Sequence, residues 1–176
     1  MRGMRFKSVI PGMIIVVLTL LAASSTAIAA DNDVLREIQD REQISKLMWD
    51  YARALDTGNV EAFVALFTEN GQFGRGESAV KGKKALLEMM GAFRKSPTAG
   101  QGDIPKTGAM YHMTANHYIE FKDRDHAVFH GYWIAFVAAS DQNSQPTIVG
   151  VGRELNEVVR VNGKWLIQVR DIMPQD

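Results

Sequence analysis

Over residues 110–172 the chain is written almost entirely in β-branched and aromatic runs: MYHMTANHYIEF, HAVFHGYWIAFVAA, TIVGVGRELNEVVRV and KWLIQVRDI. The stretches KDRD and SDQNSQP and the pair Asn162-Gly163 separate them. Runs of this kind, bounded by turn formers, predict strands. Asn-Gly between two of them is a strong hairpin signal, because both residues tolerate the positive φ that a two-residue turn requires. The spacing predicts a four-strand antiparallel meander.

The residues before it follow a different period. Leu35, Ile38, Ile44, Leu47, Met48, Tyr51 and Leu55 recur mostly at steps of three and four across residues 34–55, with Glu, Lys and Arg between them. That is a one-sided helix. Thr57-Gly58 stops it, with glycine where a left-handed cap falls. Asn59 is placed to cap a second helix, VEAFVALF, with Val60, Phe63, Val64 and Phe67 on one face. ENGQFGRG supplies turns around one short strand. KGKKALLEMMGAF, residues 81–93, predicts a third helix with Leu86, Leu87, Met90 and Phe93 inward. SPTAGQGDIP, residues 96–105, is rich in turn formers and predicts a mobile loop, a candidate lid. Helices first and strands after indicate an α+β domain with helices against one face of a curved sheet. Three helices in a bent sheet enclose a cone open at one end, with Tyr51 and Asp56 on its lining.

The first thirty residues are a different material. Arg2, Arg5 and Lys7 precede the apolar run VIPGMIIVVLTLLAA; Ala27-Ile28-Ala29 gives a small-x-small exit, and Asp31 follows. That is the order of parts in a secretory signal peptide. The apolar run is shorter than the roughly 20 residues a membrane span needs. The expectation is a secreted or periplasmic protein, with residues 1–29 its signal and 30–176 one domain, not stably membrane-associated after processing. Formal charge over the full chain is zero. Loss of the three cations leaves a mildly acidic remainder, which points to no nucleic-acid partner. Cysteine is absent, so thiol chemistry, disulfides and thiolate metal sites are excluded. The domain holds together by packing, which its length permits.

The series YARALDTGNVEAFVALFTENGQF, GKKALLEMM, HMTANHYIEF, GYWIAF and GKWLIQVRDI resembles, in order and spacing, the SnoaL-like group of the nuclear transport factor two-like superfamily. The resemblance extends over essentially all of residues 30–176. It implies a cone-shaped α+β fold, a curved mixed or antiparallel sheet packed against three N-terminal helices, with a homodimer as the common assembly. The chain is most similar to the scytalone dehydratase and bile-acid dehydratase branch, whose members are lyases. That resemblance implies that Asp56 at the first helix's end, His112 opening a central strand, and Tyr51 five residues before Asp56 line the cavity. Steroid isomerases of the superfamily place a carboxylate base on the strand after LFTENG, where this chain has Phe73-Gly74-Arg75. A second histidine of scytalone dehydratase falls by register near Val137, with His130 an approximate substitute.

A carboxylate beside His112 would orient the ring and fix its tautomer. Such a ring can remove a proton next to an electron-withdrawing group, then hand it to a departing hydroxyl. Plainer readings stand beside these. His112 can be a strand histidine satisfied by a carbonyl, and Asp56 a turn residue before Gly58. Tyr51 can be a core aromatic, or its hydroxyl can steady an enolate oxygen or the leaving group. Asn116 shares the face of His112 by period two and is a candidate to bind a substrate oxygen, while His117 points the other way. On the next strand His130 and Tyr132 share one face; Phe129, Gly131 and Trp133 share the other. The pattern does not say which face is concave, so His130 and Trp133 are both candidate substrate-binding residues. Arg153 and Glu154 carry the same ambiguity.

No metal site is expected: His112 and His117 face opposite sides and no HExxH occurs. GQFGRG lacks the strand–helix frame of a phosphate loop, and no serine sits on a nucleophile elbow. The expectation is a cofactor-independent lyase of dehydratase type. It would eliminate water or a small leaving group from a hydroxylated aromatic or polycyclic small molecule, with carbon–carbon lyase and isomerase chemistry as variants. The rival class is a non-catalytic small-molecule-binding or dimerisation module of the same fold.

Overall fold

The computed structural model of the chain describes residues 11–95, 109–139, 143 and 145–174, with the backbone alone for residues 11–31, 94 and 95. Contacts divide the chain into two units, Met1–Asp40 and Arg41–Asp176. The helix expected over residues 34–55 is longer: α1 spans Pro11–Thr57. After Gly12 no glycine or proline interrupts the chain until Gly58, so nothing in the sequence ends the helix sooner. In the first unit Arg36 and Asp40 form an i,i+4 pair at 3.6 Å. Leu35 and Ile38, expected on the packed stripe, are exposed there. Among the described residues no helix is long and apolar enough to cross a membrane.

In the second unit the buried stripe of α1 begins at Ile44 and takes in Leu47, Met48, Tyr51 and Ala54. The helix ends where glycine is needed. Gly58, at φ 64°, donates to Leu55 O and Asn59 N donates to Ala54 O, the paired bonds of a left-handed C-cap. Asn59 then turns its side chain to accept from Ala62 N at 2.9 Å, starting α2 at Val60–Ala65. One asparagine thereby closes one helix and opens the next.

The remaining elements are β1 (Phe67–Phe73), a short 3₁₀ turn, β2 (Val80–Lys81), α3 (Lys83–Lys95), β3 (Met110–Phe121), β4 (His126–Val137), β5 (Thr147–Val161) and β6 (Lys164–Asp171). The sheet order is β2-β1-β6-β5-β4-β3. The four expected strands form the antiparallel meander β3–β6. To it β1 adds in parallel beside β6, and β2 pairs antiparallel with β1, so the sheet is mixed. Asn162 and Gly163, at φ 51° and 79°, make the tight turn between β5 and β6. Leu87 and Phe93, expected inward on α3, are exposed, whereas Leu86 and Met90 are buried. The segment 96–105, expected as a loop, lies outside the described residues.

Ile44, Phe63, Phe67, Leu86, Phe129, Val158 and Ile167 form the centre of the core, each burial worth about 1.5–3 kcal/mol. Register shifts occur in four of the strand pairs, and two of them bear on the site. Ala115 pairs with Tyr132 and Tyr118 with His130, so Asn116 and His117 together oppose Gly131. Glu157 pairs with Val169 but Val158 with Ile167, leaving Gln168 as an extra residue in β6. An extra residue in one strand reverses its in–out alternation beyond that point.

Candidate active site

Asp56 lies on the last turn of α1 with its side chain only 6% exposed. It points across to β3, where its Oδ1 accepts from His112 N at 2.9 Å and meets His112 Nδ1 at 2.8 Å. Its other oxygen lies 3.6 Å from Arg53 Nη1. An ionised carboxylate is acceptor-only, so the ring carries its proton on Nδ1 and leaves Nε2 bare in the neutral imidazole. A carboxylate next to the C-terminal end of a helix is electrostatically disfavoured. Here two charge-assisted hydrogen bonds and a neighbouring guanidinium offset that.

His112 borders a hollow of about 360 Å³, within the range of small-molecule sites. Tyr51 and Leu55 form its α1 wall, Met89 and Phe93 its α3 wall, and Met110 and Trp133 part of the sheet wall. The lining is mostly apolar, and its methionines can adapt to irregular ligand shapes. Trp133 lies flat against Gly150 and Gly152 on β5: a Cβ at Gly152 would come within 2.8 Å of its Nε1, and one at Gly150 within 2.9 Å of the ring. The indole N–H donates to Ile172 O at 3.0 Å. The glycines of TIVGVG therefore make the recess that fixes the ring.

Tyr51 is buried against Phe63 and Phe67, at ring-centroid distances of 5.3 and 6.5 Å. Arg170 covers its other side, with Cζ 4.2 Å from the ring centroid, in a cation–π contact. Arg170 Nη1 donates to Glu154 Oε2 and, at 2.8 Å, to Asn156 Oδ1. Asn156 Nδ2 donates to Glu154 Oε2 at 3.1 Å. This buried group escapes a reading by period two. From Trp165 and Ile167 that period sends residue 170 outward, and the extra Gln168 turns it in. A cation within the apolar run KWLIQVRD, with Glu154 and Asn156 alternating on the strand before it, was the available signal.

The sequence-based site residues divide. Tyr51, Asp56, His112 and Trp133 meet at the hollow or its wall. Asn116 does not line it: it occupies the β3 irregularity at φ 48°, exposed, so its kinship with His112 by period two fails. The same irregularity turns His117 to the side of His112, against expectation. The His117 ring stacks on inward-facing Phe129 at 5.2 Å and 8°, and its Nε2 lies 3.5 Å from Ser45 Oγ. His130 lies on the opposite face of β4 from Trp133, beside Tyr118 and 3.5 Å from Glu120, and does not line the hollow. Glu154 faces inward.

Arg75, which follows the strand where isomerases of this fold need a base, instead bonds Glu157 at 2.7 Å and Asp171 at 2.9 Å. The hydrogen bond it donates to Glu157 leads in raising its guanidinium above the ordinary value. Among the described residues, no group of three or more His, Asp or Glu side chains is placed to hold a metal ion.

The model of the SnoaL-like domain family matches residues 36–171. No curated protein sequence matches. An NTF2-like protein with a cystatin-like fold from Novosphingobium aromaticivorans is 21% identical over 86% of this chain and 90% of that one, at a TM-score of 0.66. A candidate scytalone dehydratase from the same organism is 19% identical over 78% and 85%, at 0.62. A Catenulispora acidiphila protein in complex with S-DNPA is 17% identical over 76% and 91%, at 0.60. At these identities the likeness shows the fold, a nuclear transport factor two-like cone.

Proposed function

The chain belongs to the SnoaL-like domain family, and from that premise and the contact of His112 with Asp56 we propose that it is a cofactor-independent lyase of dehydratase type. Its substrate is a hydroxylated aromatic or polycyclic small molecule. The observation that carries this reading is the single carboxylate oxygen that holds both the ring and the backbone of His112 at the wall of an apolar hollow. With Nδ1–H given to Asp56, Nε2 is the base. It takes a proton from a carbon next to a carbonyl, the C–H electron pair becomes the new double bond, and the C–O pair departs with the hydroxyl. The protonated ring is one source of the proton that completes the water released. Tyr51 is placed on the hollow to steady the enolate oxygen, and Trp133 offers a fixed flat surface to a ring system. That a relative of this fold was obtained with a small molecule bound supports a small-molecule ligand here.

The test is incubation of the purified protein with a panel of bicyclic and polycyclic β-hydroxyketones, following loss of one water by mass spectrometry. Turnover that falls about 10²–10⁴-fold in His112→Ala, the scale of a lost general base, supports the reading; a His112→Ala protein with full turnover contradicts it. The mostly apolar lining favours a second reading, a small-molecule carrier, which would bind members of the panel and release them unchanged.

Export and assembly belong to the same proposal. The basic start, apolar run and Ala27-Ile28-Ala29 exit support a signal peptide, and N-terminal sequencing of exported protein beginning at Ala30 tests it. Exposed Tyr132, Ile148 and Val151 on β4 and β5 support a homodimer, which analytical ultracentrifugation tests.

A further inference from the structure

His112 stands on the boundary between two hollows. The second, of about 310 Å³, is bordered by Ser45, Trp49, Ala52, His112, Thr114 and His117. Thr114, His112 and Ala52 border the first hollow as well. The smaller compartment has a mixed lining: two imidazoles and the hydroxyls of Ser45 and Thr114 with Met48, Met113 and Phe129, beside the exposed Trp49. The reading above leaves it without a role.

His117 reaches this compartment only because β3 carries an extra residue. Asn116 takes a left-handed φ of 48°, a conformation costly for any residue with a Cβ and tolerated best by asparagine. In return the following ring is turned to the side of the sheet that His112 faces, where it stays exposed, lies parallel on Phe129 and comes within 3.5 Å of Ser45 Oγ. Strand irregularities that re-aim a side chain occur preferentially beside active sites. Stacking on one face and a hydroxyl near one nitrogen give the exposed ring a preferred orientation. Such a ring is pre-organised to meet a ligand.

We propose that the smaller hollow is a second ligand subsite, which receives the oxygen-bearing edge of the molecule whose apolar body fills the larger one, and that His117 hydrogen-bonds that oxygen. The ligand class is then an aromatic or polycyclic compound with a hydroxyl or carbonyl at one edge, lying across His112. A histidine ring can donate to or accept from such an oxygen according to tautomer. This inference rests on the dehydratase reading for the placement of the reacting carbon at His112, but the subsite itself is testable alone.

The probes are 2-naphthol and naphthalene, which share an apolar body and differ by one hydroxyl. Histidine-ring and Trp133 indole resonances are followed by NMR during titration of the full chain with each. The expected result is that 2-naphthol shifts His117, His112 and Trp133 together, whereas naphthalene shifts Trp133 and leaves His117 unmoved. In His117→Phe, which keeps a ring against Phe129 and removes both nitrogens, and in His117→Gln, affinity for 2-naphthol falls about threefold to tenfold, the size of one hydrogen bond. Affinity for naphthalene stays within twofold. If 2-naphthol leaves His117 unshifted, or if both variants bind it as wild type does, the subsite is wrong. Should His112 still respond in that case, the proposed base keeps its place and only the subsite falls. Should neither histidine nor Trp133 respond, the dehydratase reading loses its pocket too.

Discussion

One oxygen of Asp56 meets His112 twice, accepting from its backbone N–H at 2.9 Å and facing its ring Nδ1 at 2.8 Å. The contact joins residues 56 positions apart, so it ties the end of α1 to β3 as well as orienting an imidazole. Removing the acceptor leaves a half-buried backbone donor without its bond, a loss of about 1–3 kcal/mol. Asp56→Ala is therefore expected to lower unfolding stability by that amount in urea denaturation. Asp56→Asn, which keeps one carbonyl oxygen, is expected to lose less.

The Trp133 recess is sized to the ring. A Cβ at Gly152 meets Trp133 Nε1 at 2.8 Å and Cε2 at 3.0 Å, closer than unstrained atoms approach. The Gly152→Ala protein is expected to displace the indole into the hollow, at about 1–3 kcal/mol of overpacking. Thermal unfolding reads the stability loss, and weaker binding of naphthalene reads the lost volume.

Arg170 and Glu154 are 4% and 2% exposed, and the buried Glu154 Oε1 and Arg170 Nε have no hydrogen-bond partner within the described protein. A buried ion pair broken from one side leaves an uncompensated charge, typically about 3–5 kcal/mol, whereas replacing both partners by apolar residues costs little. Glu154→Leu alone is expected to fall in that range. Glu154→Leu combined with Arg170→Met is expected to recover most of the loss. A double-mutant cycle by chemical denaturation measures the difference.

The β3–β4 turn is pH-sensitive in a defined direction. Asp123 is lowered from its ordinary value of 3.8, first by the Asp125 backbone N–H and then by the His126 ring. A carboxyl whose folded value lies below its unfolded one stabilises the fold above the unfolded value. That contribution disappears as pH falls through the folded value. Wild type is thus expected to be more stable than Asp123→Asn at neutral pH, with the two denaturation midpoints converging below about pH 4. A gap that stays constant down to pH 2 would contradict this.

The parts legible in the sequence are those set by local rules. The α1 cap was carried by Gly58, the β5–β6 turn by Asn162-Gly163, and the four strands by their β-branched runs. The start of α1 was misjudged because its upstream residues hold no helix breaker, and compositional contrast is not a helix boundary. Asp56 and His112 entered as candidates through a family pattern, since nothing local makes a turn aspartate and a strand histidine meet. Asn116 and His117 were misplaced, and Arg170 was not singled out, for a shared physical reason. An extra strand residue reverses alternation downstream, and the choice of partner register that creates it is made by the neighbouring strand. The concave face of β4 became identifiable only through Gly150 and Gly152, whose bare backbone on β5 accepts Trp133.

The central claim is that Asp56 fixes His112 with a bare Nε2 toward the hollow, and ¹⁵N NMR of the His112 ring in wild type and Asp56→Asn tests it most directly. In wild type, where the ring is neutral, the account predicts a proton on Nδ1 and none on Nε2, with that preference lost in Asp56→Asn. A wild-type ring protonated on Nε2 instead, or an identical tautomer distribution in the two proteins, would contradict it.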